Sequence, residues 1–316
     1  MIKKLLLSAA LSPLFLSTTL AAIDTFDTPP YVTGDVIGQA GDPSVWAPGT
    51  WATQSSPQIS GTILPAGQLQ IAQTVASPFQ RTASIGRQYS TVGLPSSYTI
   101  SFDLTLTNID SIRAGGFNND FTPSNNAGDY LNIFGRDNTA ANSPDFAGDG
   151  TWLVRGGQLN ATGKSISNGS VSPDTNQNDY DATAPLDWYA FNYTPLTGHS
   201  VSDVDVVDTG IALTAGATYH FTISILGGGQ WNLRISDGTN TFDSSLAGGP
   251  YGFRSAAATP SGNMYFGYSD IGSNADTLPG LVTMNLDNVE VIPEPSVVLL
   301  GGAGLLMLLV FRRRAA

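Results

Sequence analysis

The chain has 316 residues, 35 of them Gly and 19 Pro, with no cysteine and a formal net charge of −12. Five of its thirteen basic residues are Lys3, Lys4, Arg312, Arg313 and Arg314, which leaves 8 basic against 25 acidic residues for everything between. Such acidity argues against nucleic acid or an anionic lipid surface as partner. Absence of cysteine removes disulfides, thiolate nucleophiles and Cys-held metal centres.

At the front, Lys3 and Lys4 precede an apolar stretch over residues 5–20, and Ala21 and Ala22 stand just before Ile23 and Asp24. That order predicts a secretory signal peptide over residues 1–22, a helix cut after Ala21 or Ala22, with export through the Sec machinery. Ser8, Ser12, Pro13 and Ser17 weaken the alternative of a retained anchor.

Beyond it, Gly, Pro, Ser, Thr, Asn and Asp are abundant, and Lys and Glu are scarce, which favours strands joined by turns. Strands are predicted at 68–76 and 81–89. In 98–106 every even position is apolar, the pattern of a strand with one buried face. Further strands are expected at 130–134 and 151–155. Segments 108–126 and 156–186 are rich in Asn, Asp and Gly and read as long loops, a usual place for binding residues.

Within the second loop, Asp174, Asn176, Asn178, Asp179 and Asp181 offer hard oxygen ligands and form a candidate calcium loop. It is not an EF-hand, because Asp179 replaces the turn glycine and Pro185 stands where a bidentate Glu belongs. Next come Trp188, Tyr189, Phe191 and Tyr193, candidate glycan-binding aromatics, since an aromatic face stacks on the apolar face of a pyranose ring. As a strand, Tyr189, Phe191 and Tyr193 share one face and Trp188 takes the other, and one of those faces could equally be core. Trp46 and Trp51 are similarly ambiguous. Asp203, Asp205 and Asp208 read as an exposed strand edge.

Residues 219–225 alternate again, Gly227 to Gly229 turn the chain, and 231–235 returns. Asp237-Gly238 marks another hairpin leading into 239–242. After a strand at 263–268, Val282, Met284 and Leu286 share a face before the apolar positions slip to Val289 and Val291. The slip predicts a bulge at Asp287-Asn288. A dozen short strands without a repeat or a long linker make one all-β domain over 23–291, a two-sheet antiparallel β-sandwich.

The tail, 292–316, runs from Pro293-Glu294-Pro295 through an apolar segment at 297–311 to Arg312, Arg313 and Arg314. That segment is a predicted transmembrane helix, short for stable spanning and weakened by Gly301, Gly302 and Gly304, with the arginines on the cytoplasmic side. The three parts in this order resemble the PEP-CTERM sorting signal of Gram-negative bacteria. The resemblance implies cleavage by an exosortase, transient membrane insertion, and delivery to the cell envelope, cell surface or extracellular polysaccharide.

A second resemblance rests on Asp24-Thr25-Phe26-Asp27, Gly34, Gly38-Gln39-Ala40-Gly41 and Trp46 at the front. Phe266-Gly267-Tyr268-Ser269 and Leu286 to Val291 carry it at the back. These look like the first and last strands of concanavalin-A-like lectin/glucanase domains. The resemblance implies a jelly-roll with those strands adjacent and carbohydrate as ligand class.

No catalytic set is legible. Glu290 and Glu294 are the only glutamates, and neither lies in a glucanase context. His220 falls on a polar strand face, His199 lies in a loop, and no Gly-x-Ser-x-Gly elbow occurs. The reading is therefore an exported, non-catalytic, envelope- or exopolysaccharide-associated protein that binds glycan. A structural matrix protein without a ligand and a hydrolase using aspartates are the alternatives.

Overall fold

The computed structural model describes residues 22–46, 51–54, 59–73, 81–89, 96–109, 112, 130–136, 150–158, 186–193, 205–253, 262–270 and 282–293. Residues 1–21 of the expected signal segment, the calcium-loop candidates Asp174 to Asp181 and the tail from Glu294 onward lie outside them. Among the described residues all regular structure is strand, in two antiparallel sheets, and no helix is long and apolar enough to cross a membrane.

The ten-stranded sheet contains β1 (Ala22–Asp24), β2 (Gly34–Asp35), β4 (Ile59–Leu64), β5 (Gln68–Gln73) and β7 (Tyr98–Ile109). It is completed by β12 (Thr218–Gly227), β13 (Gln230–Ser236), β14 (Thr241–Asp243), β15 (Tyr251–Gly252) and β17 (Val282–Pro293). Its central order is β14-β13-β12-β7-β17-β5-β4-β2, with β1 on β17 and β15 on β13. The seven-stranded sheet runs β11-β10-β9-β8-β16-β6-β3. Its members are β3 (Ala52–Gln54), β6 (Arg81–Gln88), β8 (Tyr130–Arg136), β9 (Gly150–Gln158), β10 (Leu186–Asn192), β11 (Asp205–Ala212) and β16 (Asn263–Asp270).

Period-two alternation decides which side chains meet between the sheets. Ile100, Phe102, Leu104 and Leu106 of β7 face inward beside Tyr219, Phe221, Ile223 and Ile225 of β12, all buried. Phe102 stacks on Phe221 at 5.0 Å and meets Phe266 of the opposite sheet edge-on at 5.2 Å, so one ring joins three strands. Burying each such ring contributes roughly 2–3 kcal/mol. Gly61 lies tightly against Ile85 of the opposite sheet, because a Cβ there would stand 2.3 Å from Ile85 and 2.6 Å from Val36.

The last strand bends where the pattern slips. Register shifts between Asp287 and Glu290, with Asn288 in the left-handed region at φ 50°. The first strand pairs with this last one, Ala22 opposite Val291 and Asp24 opposite Val289. Strand β17 runs on to Pro293, two residues past the domain edge expected at 291, and β1 begins at Ala22. β11 is an edge strand of the smaller sheet, and it carries Asp205 and Asp208.

Candidate functional site

The two sheets present unlike outer faces. On the ten-stranded sheet the face is hydroxyl and amide: Thr99 and Ser224 lie 3.2 Å apart, Thr105 and Thr218 2.7 Å, and Gln70 donates to Asn285 at 3.5 Å. His220 belongs here, half-exposed, its Nδ1 2.8 Å from Asp103 Oδ1. Asn288 donates to the second oxygen of Asp103 at 2.8 Å.

The outer face of the seven-stranded sheet is aromatic and cationic. Tyr265, Phe134 and Leu153 stand opposite one another across β16, β8 and β9, and Tyr189 of β10 stands opposite Arg155 of β9. With Phe191 and Tyr193 they form a hydrophobic cluster separate from the main core. Tyr265 stacks on Phe134 at 5.1 Å and covers Gly86, where a Cβ would come within 2.2 Å of its ring. The Arg155 guanidinium lies 4.8 Å from the centre of the Phe191 ring and donates through Nε to Asn132 Oδ1 at 3.0 Å. Arg136, Asn263 and Thr151 share this face. Among the described residues no strand forms a third layer over it, yet these side chains are all less than a tenth exposed.

The four aromatic candidates therefore divide. Tyr189, Phe191 and Tyr193 lie together on the outer face of β10, as alternation requires. Trp188 points the other way: it is fully buried, edge-on to Tyr219 at 5.4 Å and to Phe221 at 5.0 Å. None of the four presents an open ring as it stands, since Tyr189 is 2%, Phe191 1% and Tyr193 8% exposed. Trp46 and Trp51 are also interior, 4.9 Å apart. Of the sorting residues only Pro293 is described, as the last residue of β17. Glu294, Pro295 and Arg312 to Arg314 lie outside, as do all five calcium candidates. Among the described residues no group of three His, Asp or Glu is placed to hold a metal ion.

Two features were not expected from sequence. Asp187 opens β10 on the outer face, and the register shift between β10 and β11 brings Asp208 to it. Burial first, then the charge and hydrogen bond of Asp208, push the Asp187 carboxyl up to about 6. The two aspartates stand apart in sequence, Asp187 between Leu186 and Trp188 and Asp208 between Val207 and Thr209, so only the bulge reveals the pair.

The other feature closes the end of the core. Asp24, 2% exposed, accepts from the Phe26 N–H at 2.8 Å, from the Tyr31 hydroxyl at 2.6 Å, and from Trp46 Nε1. The Tyr31 oxygen accepts from Trp51 Nε1 at 3.3 Å. Arg87 stands over Trp46 at 5.7 Å and donates to the Gln39 carbonyl at 3.1 Å. Burial and then the neighbouring Asp24 charge raise the Tyr31 pKa, and burial lowers that of Arg87.

Fold and outer face together define an all-β, two-sheet antiparallel sandwich with an aromatic-arginine face on its smaller sheet. No protein-family model matches the chain, and no curated protein is similar to it at a significant level. Among solved structures it is similar to the alginate lyase Aly36B, at 13% identity over 86% of this chain and 96% of that one, with a TM-score of 0.40. It is also similar to lectin II from Ulex europaeus, at 12% identity over 78% and 95%, TM-score 0.35. A third is an immunostimulatory antigen and pseudo β-1,3-glucanase of Mycobacterium tuberculosis, at 10% identity over 88% and 100%, TM-score 0.44. The functional reading rests on this chain's own residues and not on these likenesses.

Proposed function

We propose that the protein is an exported, non-catalytic β-sandwich of the cell envelope or exopolysaccharide that binds glycan, with the buried aromatic-arginine face of its seven-stranded sheet as the floor that shapes the site. The observation that carries the reading is the contrast between the two outer faces. One carries hydroxyls, amides and the His220–Asp103 pair; the other gathers Tyr189, Phe191, Tyr193, Tyr265, Arg136, Arg155 and Asn132. Arg155 packs on the Phe191 ring and donates to Asn132, so one cationic group orders the rings and amides beneath the proposed site. In a chain with so few basic residues, Arg136 and Arg155 both lie on this face.

A second reading, a polysaccharide hydrolase, draws on the raised Asp187 carboxyl. Glycosidase carboxyls flank the scissile bond at about 5–9.5 Å. Asp208 hydrogen-bonds Asp187 directly instead and raises its carboxyl, a contact closer than that spacing. That geometry favours binding over cleavage.

Affinity electrophoresis of the purified protein in gels containing neutral or uronate-bearing polysaccharides tests the reading. Retardation is expected, reduced at least tenfold in Arg155→Ala and unchanged in Thr222→Ala on the other sheet, each checked for folding by circular dichroism. Repeating it with a calcium chelator reads whether Asp174 to Asp181 take part. Absence of retardation by every polymer, or wild-type binding by folded Arg155→Ala, overturns the reading, and release of reducing sugar replaces it with the hydrolase.

A further inference from the structure

Strand β11 is held unevenly along its length. From Thr209 onward it is tied into the core: Ile211 and Leu213 are buried, the Thr209 hydroxyl donates to the Trp188 carbonyl at 2.7 Å, and the Leu213 N–H donates to the Leu186 carbonyl at 2.7 Å. Tyr219 of β12 fastens the end, its hydroxyl donating to the Ala212 carbonyl and accepting from the Thr214 N–H, both at 2.7 Å. Ahead of the bulge, Asp205 to Asp208 pair one to one with Asn192 to Tyr189, and among the described residues no strand lies beyond β11 in its sheet. The joint between the two parts is Gly210, in the left-handed region at φ 64°, where an added Cβ would meet nothing within 4 Å. Such a glycine lets the backbone pivot.

Two carboxyls meet at this joint. Asp208 stands opposite Tyr189, so it shares the outer face with Asp187 and lies diagonal to it across the register shift. Asp208 Oδ1 accepts the Gly210 N–H at 2.8 Å, whereas Asp187 is 5% exposed, so Asp187 is the one that carries the proton of their hydrogen bond. Directly opposite Asp187 stand Gly157 of β9 and Ala212 of β11, neither of them charged. Arg155 of β9 lies one pair further along, its guanidinium 4.8 Å from the Phe191 ring and its Nε donating to Asn132. On β11 Asp205 stands opposite Asn192, and on β14, the neighbouring edge of the other sheet, Asp243 accepts from Ser245. The charge that acts on Asp187 is that of Asp208, and two carboxylates in hydrogen-bond contact repel once the proton is lost.

We infer that the bulge of β11 is a pH-sensitive hinge: with a proton between Asp187 and Asp208 the segment 205–208 lies closed on β10, and with both ionised it swings out about Gly210 and bares the β10 edge from Tyr189 to Asn192. Because the Asp187 carboxyl is raised from 3.8 to about 6 in the closed form, the segment is held most firmly on the acid side and loosens as pH rises through that range. The edge it bares carries Tyr189 and Phe191 of the aromatic floor. For glycan the consequence rests on the reading given above: a floor with its edge strand seated is better preorganised, so binding is tighter at low pH.

Hydrogen exchange of the purified full chain, followed by mass spectrometry at pH 5.0 and 7.5 and corrected for intrinsic rates, reads the hinge directly. In wild type, protection over 189–192 and 205–208 should fall about tenfold between the two pH values, relative to 99–106 and 219–225 in the other sheet. Asp187→Asn, whose amide donates to Asp208 at both pH values, should hold protection within about twofold, and Asp208→Asn should do the same. Unchanged protection in wild type, or the wild-type fall in both variants, overturns the hinge. Affinity electrophoresis at the same two pH values tests the link to glycan: retardation of wild type should weaken about threefold at pH 7.5 and that of Asp187→Asn should not. Equal retardation of wild type at both overturns the link. Absence of retardation at both removes the glycan reading, and the exchange result still decides the hinge.

Discussion

Replacing Asp24 tests whether the end of the sandwich is held by one carboxylate. Its Oδ1 accepts the Phe26 N–H, and its Oδ2 accepts the Tyr31 hydroxyl and the Trp46 indole N–H. Alanine deprives three buried donors at once. A hydrogen bond to a charged group contributes roughly 1.5–3 kcal/mol, so the expected loss is about 3–5 kcal/mol after partial relaxation. Asparagine restores one acceptor but turns an N–H toward the others. Tyr31 can rotate its hydroxyl to accept, whereas the indole only donates, so Asp24→Asn should lose about 1–3 kcal/mol. Equilibrium urea unfolding followed by tryptophan fluorescence, which senses Trp46 and Trp51 directly, gives both values from midpoints at an unchanged slope. A loss below about 1 kcal/mol for Asp24→Ala would refute the reasoning, because the carboxylate would then be a passive occupant of its pocket.

Other outcomes follow from the same contacts. The Asp187 carboxyl titrates near 6 when folded against an ordinary value of 3.8, so the folded state holds a proton between those values that the unfolded state has lost. Stability should therefore fall as pH rises from about 4 through 6, and Asp187→Asn should raise the melting temperature at pH 8 but not at pH 4; parallel profiles for both proteins would show that the pair is not coupled. Trp188→Ala empties the space against Tyr219 and Phe221 and should destabilise by about 3–5 kcal/mol in the same urea assay, where an exposed sugar platform would lose almost nothing. Gly61→Val forces two methyls between Ile85 and Val36 and should lose about 1–3 kcal/mol, with a near-normal midpoint counting against the close approach of the sheets.

What was legible in the sequence is what alternation encodes. The strand at Tyr98 carries its pattern through nine residues and fixes its own inward face, and the slip at Asp287 announced its bulge because each face has a period of two. The same rule separated Trp188 from Tyr189, Phe191 and Tyr193, although it could not say which side was core, since both faces of β10 turn out to be covered. β4 was missed because Gly61 interrupts Ile59 and Ile63 on the buried face, and that glycine is required by contacts with Ile85 and Val36 that only the packed sheets reveal.

The site was harder for a related reason. Arg155 meets Asn132 and Tyr189, and Asp187 meets Asp208, only through the strand order β11-β10-β9-β8, which no local pattern states. Asp24 shows the limit most clearly. In the sequence it only helps carry the resemblance for a first strand, and nothing there marks its side chain as buried. Yet pairing with β17 carries it inside, where an ionised side chain is tolerable because an amide, a phenol and an indole converge on it. Residues near the two ends of the described domain thus form one structural unit, and losing the Asp24 acceptor should loosen both β1 and the half of β17 that it pairs.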